Sequence, residues 1–157
     1  MALAVSLVML VVILLIAMSA MRFTTVELRI AANEQIRVSA LQTSQSIVDA
    51  AVSDTANTPV VGDVGYLLCS ETVAGCMANT VVLDDSYLSS ELASGDATVI
   101  VERLAPLLGP PPRGLGSSLA KFAAAYFGVQ GTYDQVDLGQ GRSAVSQGVV
   151  VLVPTNN

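Results

Sequence analysis

The chain opens with its longest apolar run. From Met1 to Met21 there is no charge, no Pro and no Gly, and the only polar side chains are Ser6 and Ser19. A helix of that length is ~30 Å long, enough to cross the hydrocarbon core of a bilayer. Pro and Gly stay absent until Pro59 and Gly62, so the pattern predicts one helix from near residue 2 to about residue 55. Beyond Arg22 its character changes. Phe23, Val26, Ile30, Leu41, Val48 and Val52 recur on one side at helical spacing, with Arg29, Gln35, Gln42, Ser46 and Asp49 largely away from it. That stripe is expected to pack on a sheet formed by later residues. A helix lying along a membrane surface carries a charged face throughout, and residues 1–21 carry none.

After Asn57-Thr58-Pro59, short Val-rich runs alternate with Gly, Asp, Asn and Pro. The predicted strands are Val64–Cys69, Thr80–Leu83, Ala97–Arg103, Ala123–Thr132 and Ala144–Val153. The last is nearly all Val and Leu at its end, as a central strand would be. Short helices are expected at Ser86–Leu92, with Asp84 or Asp85 as N-cap, and at Ser117–Ala124. The stretch from Leu108 to Gly114 contains Pro110-Pro111-Pro112 and reads as an irregular or polyproline loop. The organisation is therefore an apolar helix (1–22), its amphipathic continuation (23–55) and a C-terminal domain (56–157). The fold class is α+β: one long N-terminal helix, apolar then amphipathic, packed on a small antiparallel sheet.

Composition and charge refine this picture. Of the 157 residues 52% are hydrophobic, yet only 4% are aromatic and there is no Trp, so the excess sits largely in the first segment. The net charge is −6, and residues 59–157 hold nine acidic and four basic side chains. Such an excess suits a domain exposed to water. The basic residues are scattered, and no patch offers itself to a nucleic-acid backbone.

Two cysteines, Cys69 and Cys76, have a C-x6-C spacing that matches neither a zinc site nor a redox motif. In an exported domain two close cysteines form a disulfide around a small loop. The alternative is two unrelated buried thiols. Charge placement bears on export. Arg22 and Arg29 lie just beyond the apolar span, which would keep the C-terminal domain in the cytoplasm. The conflict disappears if a basic leader preceded Met1 and was removed. A secretory signal peptide would show a basic start, a shorter apolar core and a small-residue cleavage site, and none is present.

Enzymatic chemistry finds little footing. The chain has no His, which removes Ser/His/Asp and Cys/His catalysis. No P-loop or dinucleotide fingerprint occurs. Asp84-Asp85 reads as a helix cap rather than a catalytic pair. Asp134 and Asp137, near Gly139, are candidate Ca²⁺ ligands, weighed against a solvated turn. No enzyme activity and no cofactor are expected.

Three stretches resemble the type IV pilins, and more narrowly the PilX-type minor pilins. The start, Ala2-Leu3-Ala4-Val5-Ser6-Leu7-Val8-Met9-Leu10, is similar to the family's mature N-terminus. Met21-Arg22, followed by Glu27-Leu28-Arg29-Ile30-Ala31-Ala32-Asn33-Glu34, resembles its next motif, with Ala32 where Gly is usual. Gly131-Thr132-Tyr133-Asp134, Gly141-Arg142 and Val145-Ser146-Gln147-Gly148-Val149 resemble its closing strands.

The resemblance implies cleavage by a prepilin peptidase, N-methylation of Met1, residence in the inner membrane, and assembly with other pilin subunits into an extracellular filament. Leu3, Val5, Ser6, Leu7, Leu10 and Leu14 would then lie in the filament core. Most pilins carry Glu at position 5, which is thought to neutralise a neighbouring subunit's N-terminal amine. Val5 resembles instead the K-type minor pseudopilins of type II secretion, which cap a filament tip. In a repeating subunit the Ser6 hydroxyl or backbone carbonyls would have to satisfy the amine. A filament subunit, a secretion pseudopilin and a single-span anchored binding domain all stay open at this point.

Overall fold

The computed structural model describes residues 2–81, 83, 89–112 and 121–155, with side chains from residue 4 onward. Its first element, α1, is Ala2–Ser53, close to the span predicted from the lack of Pro and Gly. The chain divides into two compact units, 1–38 and 39–157, and α1 supplies all of the first and the opening helix of the second.

Local chemistry ends the helix. Asp54 is extended, with φ −97° and ψ 119°, and its side chain accepts a hydrogen bond from the Ala56 N–H, capping a 3₁₀ turn at Thr55–Asn57. The Asn57 amide is fully buried and donates Nδ2 to the Ala51 carbonyl at 3.0 Å. It thereby satisfies an acceptor that a helix C-terminus otherwise leaves open.

Among the described residues the second unit is built on four antiparallel strands in the order β1-β2-β3-β4: β1 is Leu67–Cys69, β2 Ala97–Gly109, β3 Phe122–Gln135 and β4 Gly141–Pro154. A short helix, α2, spans Ser89–Ser94 before β2, and a 3₁₀ turn at Val136–Leu138 ends at Gly139, left-handed at φ 74°, between β3 and β4. The β2–β3 register is regular from Ala97↔Tyr133 to Leu104↔Tyr126, then shifts before Gly109↔Ala124. The Ala105–Pro106 peptide in that irregular stretch is cis.

Sheet and helix meet through small residues. Ala40, Ser44, Ile47, Val48 and Ala51 are the fully buried side chains of α1, at the i, i+4, i+7 spacing of one helix face. Opposite them lie Val99, Val101, Phe127 and Val129, every second residue of two neighbouring strands. Gly131 sets the separation: a Cβ there would lie 2.7 Å from Val48 Cγ2, 3.0 Å from the Ser44 carbonyl oxygen and 3.3 Å from Ile47 Cγ2. Full burial of a Val or Ile side chain stabilises by ~1.5–3 kcal/mol, and Ile47, Val48, Val99, Val101 and Val129 are all fully buried.

Several expectations need correction. Of the predicted stripe, Phe23, Val26, Ile30 and Leu41 are exposed. Only Val48 and Val52 pack into the core, because the contact face is carried by Ala and Ser, which hydrophobic periodicity undercounts. The first strand covers three residues rather than six, since Gly65 has φ +86° and Val64-Gly65 lies in a turn. Thr80, Val81 and Leu83 form no strand; Val81 donates its N–H to the Cys69 carbonyl.

The Val-rich final strand is an edge rather than a centre. Leu108 and Gly109 end β2 instead of opening a loop. Phe122–Ala124 join β3, which meets the strand predicted from Ala123 and overrides the helix predicted up to Ala124, because pairing with Leu152–Pro154 outweighs the helix propensity of an Ala run. The other predicted helix is present over its described part and runs on, as Ser89–Ser94, while residues 86–88 lie outside the described residues. Asp84, Asp85 and 113–120 lie outside the described residues.

Gly131→Ala is expected to destabilise the fold by about 1–3 kcal/mol, the usual effect of overpacking, because all three atoms the new Cβ meets belong to α1 residues packed against the sheet. Gly148→Ala, where nothing lies within 4 Å, should stay within about 0.5 kcal/mol of the parent. Denaturant unfolding of the two variants checks the contrast.

Candidate functional site

Every described side chain from residue 4 to residue 38 is exposed. Among the candidate core positions, Val5, Leu7, Leu10 and Leu14 are 64%, 61%, 60% and 52% exposed. Met1 and the side chain of Leu3 lie outside the described residues. Among the described residues α1 is the one helix long and apolar enough to cross a membrane. Polar groups where the apolar run ends are satisfied within the helix: Thr24 Oγ1 donates to the Met21 carbonyl at 2.9 Å and Thr25 Oγ1 to that of Arg22 at 2.8 Å. Such back-bonding lets hydroxyls tolerate an apolar neighbourhood. Glu34 and Arg37 form an i,i+3 pair at 3.9 Å, exposed enough to count for little.

The cysteines are joined. Cys69 and Cys76 form a disulfide with Cα atoms 6.1 Å apart. Cys69 is wholly buried on β1, so the bridge ties the Ser70–Gly75 loop to the sheet. Asn79 pins the loop, donating Nδ2 to the carbonyls of Ser70 at 2.9 Å and Val73 at 2.7 Å. Residues after the loop lie along the outer side of β1, parallel to it. Cys69 N donates to Ala78 O at 2.9 Å, Ala78 N to Leu67 O at 3.3 Å and Val81 N to Cys69 O at 3.2 Å.

Asp134 and Asp137 line an open depression of about 440 Å³ together with Asp96 and Arg142. Asp134 is engaged by Arg142 at 3.3 Å, and Asp96 accepts from Gln135 Nε2 at 3.1 Å. Among the described residues no group of three or more His, Cys, Asp or Glu side chains converges as a metal site. Beneath the rim, Tyr133 is buried; its hydroxyl donates to Gln135 Oε1 at 2.7 Å and also lies 2.9 Å from Gln140 Oε1. Burial, then the charges of Glu91 and Asp96, push the Tyr133 hydroxyl above its ordinary pKa of 10.0.

Sequence reasoning passed over Arg103. It is 3% exposed, on the core side of β2 in the alternation Val99, Val101, Arg103. Its guanidinium donates to the carbonyls of Leu107 at 3.0 Å and Val61 at 3.4 Å and stacks 5.7 Å from the Phe127 ring centre. It thus joins the irregular end of β2 to the segment after α1. Period-2 counting along Val99–Arg103 is the signal that marks it as inward-facing.

Replacing Cys69 and Cys76 by Ser is expected to cost about 2–3 kcal/mol from loop-closure entropy alone, measured by urea unfolding, and the unreduced parent should show no thiol reactive to a labelling reagent. Tyr133 supplies a pH test. A folded pKa above the unfolded value holds the proton in the native state, so its contribution is complete below pH ~10 and falls as pH rises further. Unfolding free energy should decline above pH ~10, less steeply in Tyr133→Phe.

Residues 1–48 match the family model described as PilX N-terminal. The two N-terminal stretches that carry the resemblance lie inside those residues, and the match supports a PilX-type pilin, a type IV pilus-related subunit of a structural family. No curated protein and no solved structure matches the chain.

Proposed function

We propose that this chain is a structural subunit of a type IV pilus or pilus-like filament, held in the inner membrane before assembly and in the filament core afterwards by the apolar part of α1. The observation that carries the reading is a helix segment uncharged from residue 2 to 21 and exposed wherever it is described, inside residues that match a pilin N-terminal family. Some twenty apolar side chains left in water are costly at ~25 cal/mol per Å². A bilayer and a bundle of like helices are the two surroundings that remove that cost. Assembly with other pilin subunits, processing by a prepilin peptidase and methylation of Met1 go with this reading. The exposed acidic domain of residues 59–157 suits the outer surface of such a filament.

Val5 favours a second reading, a minor pseudopilin that caps the tip of a secretion filament. A tip subunit has no neighbour above it whose amine needs a carboxylate, so an apolar residue at that position costs nothing there.

Shearing of surface filaments followed by mass spectrometry should recover this chain with a methylated N-terminus. Its absence from both shaft and tip fractions would sink the proposal. Leu10→Lys places a charge within the apolar segment at a cost of roughly 2.5–3.5 kcal/mol and should abolish recovery in the sheared fraction, with the disulfide-bonded domain still folded by circular dichroism.

A further inference from the structure

The sheet has an unguarded edge whose character does not depend on assembly through α1. β4 pairs with β3 over fourteen consecutive positions without a bulge, from Phe122↔Pro154 to Gln135↔Gly141. In an antiparallel ladder, alternate residues turn their N–H and C=O to opposite sides. Two bonds fix the phase: Asp134 N donates to Asp96 O at 2.7 Å, and Thr155 N to Lys121 O at 2.9 Å. Even-numbered β3 residues therefore bond β2, odd-numbered ones bond β4, and the odd-numbered β4 residues answer them. Ala144, Ser146, Gly148, Val150 and Leu152 direct their backbone groups to the open side, where among the described residues no strand meets them.

Natural edges are guarded by charge, proline, bulges or brevity. From Ser143 to Val153 there is no charge and no proline. Both faces are apolar where the strand ends: Val149, Val151 and Val153 pack partly into the core, while on the other face Val150 is 40% exposed and completes a row with Tyr126 and Leu104. The opposite edge is closed, since the 77–81 segment occupies the outer hydrogen-bonding groups of β1.

We propose that the open edge of β4 receives, as a fifth strand, an extended segment of a different and net-basic polypeptide. Two observations select that occupant over a second copy. The closed β1 edge bars head-to-tail strand addition between copies. Pairing β4 with its own twin would bring together two units of residues 39–157, each with eleven acidic and four basic side chains. Of those four, Arg103 is buried and Arg142 is held by Asp134. Like charge opposes the twin and favours a cationic partner. The incoming segment is uncharged and apolar alongside Val149–Val153, with basic residues flanking it, and main-chain hydrogen bonds supply the register.

The test uses the full chain in detergent micelles and amide hydrogen exchange. The probe is a synthetic peptide copying Ala123–Gln130, flanked by two Lys at each end; a second version carries Glu instead. Saturating Lys-flanked peptide should slow exchange at Ser146, Gly148 and Val150 at least tenfold, and the Glu-flanked peptide should bind at least tenfold more weakly. Val150→Pro should abolish the effect with the odd-numbered β4 amides still protected, because that N–H serves no bond to β3. Unchanged exchange, or equal binding of the two peptides, overturns the proposal. So does protection of the same amides in the peptide-free chain that rises with its concentration, which would assign the edge to a second copy.

Discussion

At Gly131 the backbone of β3 comes within a methyl group's reach of α1, and the 39–157 unit is organised around that approach. It selects Ala40, Ser44 and Ala51 as the flat side of the helix, with Ile47 and Val48 filling the space left beside them. It also orders the sheet, since Val99 and Val145 flank Gly131 in register on the two neighbouring strands. Dispersion falls off steeply with separation, so a contact this close is strong and also intolerant of added volume.

Around this contact the ends of the unit are closed by polar groups that bind main chain. Asn57 takes a carbonyl of the final α1 turns, Arg103 takes carbonyls from the β2 irregularity and the post-helix segment, and Asn79 takes two carbonyls of the disulfide loop. Each satisfies main-chain acceptors at a site where regular structure stops. Side-chain donors bonded to backbone thus hold the irregular third of the unit, where period-based packing supplies little.

Much of this was legible in the sequence because the signals were physical and long. Twenty uncharged residues and the lack of Pro and Gly up to residue 58 specified α1 nearly to its end. The α+β class, three of the strands and the Cys69–Cys76 pairing followed from alternation, turn residues and spacing. The failures share a cause. The helix face that meets the sheet is made of Ala and Ser, which carry little hydrophobic signal, so the stripe was drawn through larger residues that are exposed. Ala123 and Ala124 fit both a helix over 117–124 and a strand over 123–132, and only their β4 partner decides for the strand. Val on both faces of β4 suggested a central strand, although one face is only half covered and the other open. For the apolar end of α1, the sequence identified the segment but not its surroundings, because a bilayer and a helix bundle ask the same composition of it.

The disulfide loop has a consequence beyond loop entropy. By lying along β1, the 77–81 segment leaves the sheet growable from one side alone. A polypeptide with two open edges is a template that copies itself outward without limit, the geometry of cross-β fibres. With the β1 edge occupied by hydrogen bonds and the β4 edge open, copies of this domain cannot chain head to tail through their sheets, which lets an apolar edge exist at high local concentration without seeding runaway polymer of the domain itself.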